Sequence, residues 1–111
     1  MYRKPRIETV TIALGDTTSE VIELRDYMLA GIILPAALTS TAITFTVSDA
    51  RAGTFVGLYD SDGNVVSLAV GTSRAVGLSG AEADALAPFP FVKLVCGTAE
   101  AAARSILVAL K

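Results

Sequence analysis

Ile43-Thr44-Phe45-Thr46-Val47-Ser48 sets a large apolar side chain at every second position and a hydroxyl between each. Side chains of an extended chain alternate between its two faces, so this stretch has one face for a core and one for water, as a half-buried antiparallel strand requires. Threonine on the wet side suits the pleated backbone. The same period recurs outward in both directions. Val10, Ile12 and Leu14 alternate with Thr9, Thr11 and Ala13; Val66, Leu68 and Val70 repeat the pattern, as do Val92, Leu94 and Cys96, and then Ile106, Val108 and Leu110.

Shorter extended segments are expected at residues 20–24, 29–34, 54–59 and 74–78, which makes eight or nine strands. Turn signals separate them: Gly15-Asp16, Ser48-Asp49 with Gly53, Asp60-Ser61-Asp62-Gly63, Gly71 and Gly80. Ser79 and Glu82 have capping-box spacing ahead of Ala83 to Leu86 and Pro88 would stop a helix, so one short helix is predicted near residues 80–86. Residues 99–111 are rich in helix formers, with Thr98 as a possible cap. The clean alternation from Ser105 to Leu110 instead favours a loop and a terminal strand. The expected fold is all-β: a two-sheet antiparallel sandwich of the jelly-roll type.

With 111 residues, 52% hydrophobic and 18% charged, and a mean hydropathy of +0.58, the chain has material for one sizeable core, and no linker-like stretch divides it. The apolar share is high for a lone domain of this size, which points to self-association or docking on a larger assembly. A membrane span is not expected, because the longest uncharged apolar run, residues 28–38, has eleven residues and contains Gly31 and Pro35. Nor is a signal peptide, since Thr9, Thr11 and Asp16 interrupt the first apolar stretch.

Cys96 is the single cysteine and histidine is absent. Intramolecular disulfides and the usual zinc and copper ligand sets are excluded within one chain, and so are Ser-His-Asp and Cys-His catalysis. Cys96 falls on the apolar face with Val92 and Leu94 and reads as a small buried hydrophobe. Asp60-Ser61-Asp62-Gly63-Asn64 fails as an EF-hand: aligned on its glycine, the first and twelfth positions are Leu58 and Ala69. A hairpin turn between residues 55–59 and 65–70 explains the same residues. Asp60 with Asp62 and Glu82 with Asp84 could be carboxylate pairs, but a chain with no tryptophan and three tyrosines has little with which to line a sugar-cleaving cleft, and no glycine-rich phosphate loop occurs. No catalytic residue, metal or cofactor is expected.

Arg3, Lys4 and Arg6 are three of nine basic residues, leaving six against eleven acidic ones in the remainder. Residues 1–6 therefore read as a flexible basic arm on an acidic domain spanning 7–111. Such an arm is either a solvated terminus or a reach toward an acidic neighbour. The acidic body and a pI near 4.9 disfavour nucleic acid. Partner-binding candidates are Tyr2, Arg3, Lys4 and Arg6 in the arm, and Tyr27 and Met28 at the start of a stretch that is apolar on both faces. That stretch is a central strand covered on both sides or an edge that packs against another subunit.

Gly31-Ile32-Ile33-Leu34-Pro35-Ala36-Ala37-Leu38-Thr39, Ile43 to Ser48, Phe55 with Leu58-Tyr59-Asp60 and Gly63, and Phe91-Val92-Lys93-Leu94 with Gly97-Thr98 resemble the head decoration, or cement, proteins of tailed bacteriophages. The similarity runs over residues 7–111 and rests on core and turn positions. It implies a jelly-roll subunit, commonly a homotrimer, made in the bacterial host cytoplasm and bound to the major capsid protein on the outer capsid surface of the virion. Discoidin-like and other carbohydrate-binding jelly rolls share the sheet pattern; Tyr2, Tyr27, Phe89 and Phe91 are the aromatics such a module could use. A tail or baseplate fibre module is the third alternative.

Overall fold

A computed structural model describes residues 6–24, 27–78 and 80–111. Among the described residues nine strands follow one another as β1 (Arg6–Ile12), β2 (Ile22–Glu23), β3 (Leu29–Ile33), β4 (Ala42–Ser48), β5 (Val56–Gly57), β6 (Ser67–Ala69), β7 (Ala75–Gly77), β8 (Phe91–Cys96) and β9 (Arg104–Leu110), with α1 (Gly80–Leu86) between β7 and β8. One sheet has the order β1-β9-β3-β7; the other has β2-β8-β4-β5, with β6 also on β4. All pairings are antiparallel.

The connectivity has a simple origin. Gly57 opposes Thr46 and Ser67 opposes Thr44, so β5 and β6 lie in line along one edge of β4 as a single interrupted strand. Counted that way, eight strands form four nested pairs: β1 with β9, β2 with β8, β3 with β7, and β4 with β5 and β6. The chain is one long hairpin, bent near residues 49–55 and rolled until β9 also meets β3 and β8 also meets β4. This is the jelly roll expected from the alternation.

Ile43, Phe45 and Val47 point into the space between the sheets and meet Val92, Leu94 and Cys96 of β8; Val10, Ile12, Ile106 and Val108 close it from the other side. Phe45 is 1% exposed and is among the largest fully buried side chains. Burial of each Val, Leu, Ile or Phe contributes roughly 1.5–3 kcal/mol, and this two-sheet core is the main stabilising term.

The helix occupies the predicted span. It lays Leu86, 1% exposed, over the core, and the Phe89 amide donates to the Leu86 carbonyl where the chain leaves it. Ser79, its expected cap, lies outside the described residues. The end of the chain is strand, as the alternation favours, because Ile106, Val108 and Leu110 all reach the core.

Three local readings change. Leu14 is not the third inward residue of β1: the Asp16 amide bonds the Ala13 carbonyl, Gly15 takes a φ of 81°, and the chain turns away with Leu14 68% exposed. The hairpin turn expected between residues 55–59 and 65–70 is present, but its outer arms do not pair with each other and it projects from the interrupted edge strand. Its arms meet at the Tyr59–Val65 bridge and through the Val66 amide on the Leu58 carbonyl, while β5 and β6 belong to β4. Leu58 and Val66 are both buried, and anchoring them side by side sends the polar 60–64 turn into water. Arg6 is the first residue of β1, opposite Leu110, whereas residues 1–5 lie outside the described residues.

The stretch that is apolar on both faces resolves into β3, an interior strand by pairing, held between β9 and β7. Leu29, Ile32 and Leu34 are buried, but Ile33 points outward and is 41% exposed. Gly31 permits this crowding: a Cβ there would lie 3.0 Å from the Val76 carbonyl oxygen.

Candidate interaction surfaces

At the open side of the sandwich, where β1 and β2 are the edge strands, a groove of about 310 Å³ is lined by Arg6, Glu8, Val21, Glu23, Leu24, Tyr27 and Arg51. Arg6 and Glu8 share the parity of Val10 on β1, which aims both at the gap between the sheets. They form an ion pair, and the Arg6 guanidinium also stands 5.7 Å from the centre of the Tyr27 ring. On the opposite wall Arg51 Nη2 donates to Glu23 Oε1 at 3.3 Å, with its guanidinium 5.8 Å from the Phe91 ring. The groove is thus amphipathic, with two guanidinium–carboxylate pairs beside Val21, Leu24 and the Tyr27 ring. Its ion pairs are solvent-exposed and contribute little to stability, about 0–1 kcal/mol each. Their groups are hydrogen-bonding material for a polar ligand.

The outer face of the β1-β9-β3-β7 sheet differs in kind. Register puts Ile7, Ala109, Gly31 and Gly77 in one row across the four strands and Thr9, Leu107, Ile33 and Ala75 in the next, with Thr11 and Ser105 beyond. None of these ten positions is charged. Ile7 is 54% exposed. Across the molecule the outer face of the other sheet carries Glu23, Phe91 and Lys93, with Lys93 Nζ 4.5 Å from the Phe55 ring centre.

At one end of the sandwich Glu100 joins three loops. Its carboxylate is fully buried and accepts from the Thr39 amide at 2.8 Å, the Ser40 amide at 3.1 Å and Arg104 Nε at 2.9 Å. Its backbone exchanges hydrogen bonds with the β1–β2 loop, the Gly15 amide giving to the Glu100 carbonyl and the Glu100 amide to the Asp16 carbonyl. Burial pushes the Glu100 pKa up, but the bonds from Thr39, Arg104 and Ser40 outweigh it and hold the carboxyl at about 2. Beside it, burial raises the Cys96 thiol above 9.0; a Ser40 hydrogen bond opposes that rise and the Glu100 charge reinforces it. A protonated, 2% exposed thiol is a poor nucleophile.

Of the sequence candidates, the fold brings Arg6 and Tyr27 together in the groove. Met28 sits just past it, 37% exposed, its backbone paired with that of Lys111. Tyr2, Arg3 and Lys4 lie outside the described residues. Sequence reasoning missed Glu8, Glu23 and Arg51, which come from three separate segments, and Glu100, whose carboxylate partners are about sixty positions upstream. Only the four-residue step from Glu100 to Arg104 hinted at that pair. The Asp60 carboxylate is engaged within its own turn, accepting from the Asp62 and Asn64 amides, with Gly63 at a φ of 86°. Among the described residues no cluster of three or more His, Cys, Asp or Glu could hold a metal ion, and no helix is long and apolar enough to cross a membrane.

No protein-family model matches the sequence, and no curated protein matches it. Among solved structures, the SPBc2 prophage-derived protein YomS is similar over 99% of this chain and 96% of its own, with a TM-score of 0.59 at 14% identity. The Drosophila NLP core follows at a TM-score of 0.44 and 11% identity, covering 96% of each chain. A chitosan-binding module of a Paenibacillus chitosanase/glucanase reaches 0.40 and 16% identity, over 93% of this chain and 75% of its own. At these identities the first likeness speaks to the fold, and the other two are too loose to carry argument.

Proposed function

We propose that this chain is a non-catalytic structural subunit of a tailed-phage particle, a homotrimer that decorates the outer surface of the head and holds neighbouring major capsid proteins together. The observation that carries the reading is the uncharged, partly apolar outer face of the β1-β9-β3-β7 sheet, which costs free energy in water unless a companion covers it. The prophage origin of YomS, which shares the fold from end to end, supports the phage setting. Stabilisation follows from mass action: a subunit that binds only the assembled shell shifts the shell toward its intact state. Many weak contacts per particle then suffice.

The test uses purified heads that lack the chain. Adding it should give saturable binding at a fixed ratio to the capsid protein and raise the temperature at which heads rupture; no binding would reject the reading. Removing residues 1–5, which leaves β1 intact, should lower occupancy if the basic arm contacts the shell.

The amphipathic groove favours a second reading, a carbohydrate-binding module or a tail or baseplate fibre module, with Tyr27, Arg6 and Arg51 engaging sugar hydroxyls. Retention on a glycan array, lost on Tyr27→Ala, would establish it.

A further inference from the structure

We propose that the outer face of the β1-β9-β3-β7 sheet is the surface through which copies of this chain meet around their symmetry axis. The inference rests on the reading that the chain self-associates and adds the surface by which it does so.

Charge distribution carries it first. Around a rotation axis residues near the axis face their own copies, so any charged side chain there meets a like charge. A surface for a different protein has no such restriction and can carry complementary ions. Charged residues make up 18% of the chain, yet none occurs at the ten outward positions of these four strands. The outer face of the other sheet holds Glu23 and Lys93.

Shape agrees with this. Ala109, Gly31 and Gly77 make a low row across the sheet, and Leu107 and Ile33 make a high row beside it. A ridge of one copy can seat in the trough of the next. Four strands spaced ~4.8 Å apart and ~5 residues long give roughly 300 Å² in plan. A standard interface covers about 800 Å² per partner, so this face supplies the apolar centre. Thr9, Thr11 and Ser105 on its border are polar without charge, the character of a rim.

The experiment places a charge on the face and reads mass in solution by light scattering. Ile7→Lys and Leu107→Lys are compared with the wild-type chain and with Ser67→Lys, whose lysine stands on the outer face of the opposite sheet. Circular dichroism and thermal melting monitor folding; Ile7, exposed on an edge strand, keeps the test valid should Leu107→Lys unfold. Wild type and Ser67→Lys should share a mass that is a multiple of 11.5 kDa, and the face variants should dissociate, association weakening by ~10²-fold or more. An assembled wild type with a folded Ile7→Lys of unchanged mass would overturn the assignment of this face while leaving self-association standing. A monomeric wild type would overturn both.

Discussion

Replacing Glu100 with Gln changes one buried atom and removes one charge. In the native chain Oε1 accepts from the Thr39 amide and Arg104 Nε, and Oε2 accepts from the Ser40 amide. A glutamine can keep Oε1 in place, but its NH2 group then confronts the Ser40 amide, donor against donor, and Arg104, only 14% exposed, loses its counter-charge. The depressed pKa sets the magnitude. A carboxyl held at about 2 instead of 4.5 contributes about 3 kcal/mol at neutral pH. Truncating one partner of a buried pair gives the same order, ~3–5 kcal/mol. Glu100→Gln should therefore lose about 3 kcal/mol, a drop in Tm of roughly 12–20 °C for a domain of this size. The sign with pH follows. Because the folded pKa is depressed, the stabilisation is complete above the unfolded value and is lost as pH falls from about 5 toward 2. Urea denaturation of both proteins from pH 7 down to pH 2 should show the gap closing in that window. A gap below about 1 kcal/mol at pH 7, or one that persists undiminished at pH 2, would refute the account of Glu100 as a charged staple.

Phe45→Ala opens the centre of the core and should cost ~3–5 kcal/mol in chemical denaturation, since its neighbours on β8 are fixed by six paired positions and collapse poorly. Gly31→Ala brings a methyl to 3.0 Å from the Val76 carbonyl, a backbone atom that moves only with β7; hydrogen exchange should speed up at Ile32 and Val76 while the β4–β8 amides hold. Cys96 should resist a thiol reagent in native buffer at pH 8 and react on unfolding, because burial and a raised pKa both suppress its thiolate.

The fold was legible wherever a local rule and the tertiary outcome coincide. Alternation of period two marked the long strands, and the Glu82 and Pro88 spacing placed α1, since the helix needed nothing remote to begin or end. Leu14 was misread, and the partner of the outer arms of the 55–70 hairpin was missed, for a shared reason. Periodicity reports which residues want burial, whereas the exit of β1 and the partner of β5 depend on hydrogen bonds made elsewhere, at Glu100 and along β4. The surfaces were harder to read. Arg6 and Tyr27 could be singled out, but the carboxylates beside them arrive from separate strands. The absence of charge on one sheet face became visible only once register aligned β1, β9, β3 and β7, because the four strands are far apart in the sequence and β1 and β9 carry Arg6, Glu8 and Arg104 at alternate positions.

Small-angle X-ray scattering on the wild-type chain at tens of micromolar tests the central claim most directly. A solitary subunit has a Cα radius of gyration of 13.1 Å and a mass of 11.5 kDa. The account predicts a distinctly larger radius and a forward scattering intensity equal to several chains; values matching the single subunit would contradict it.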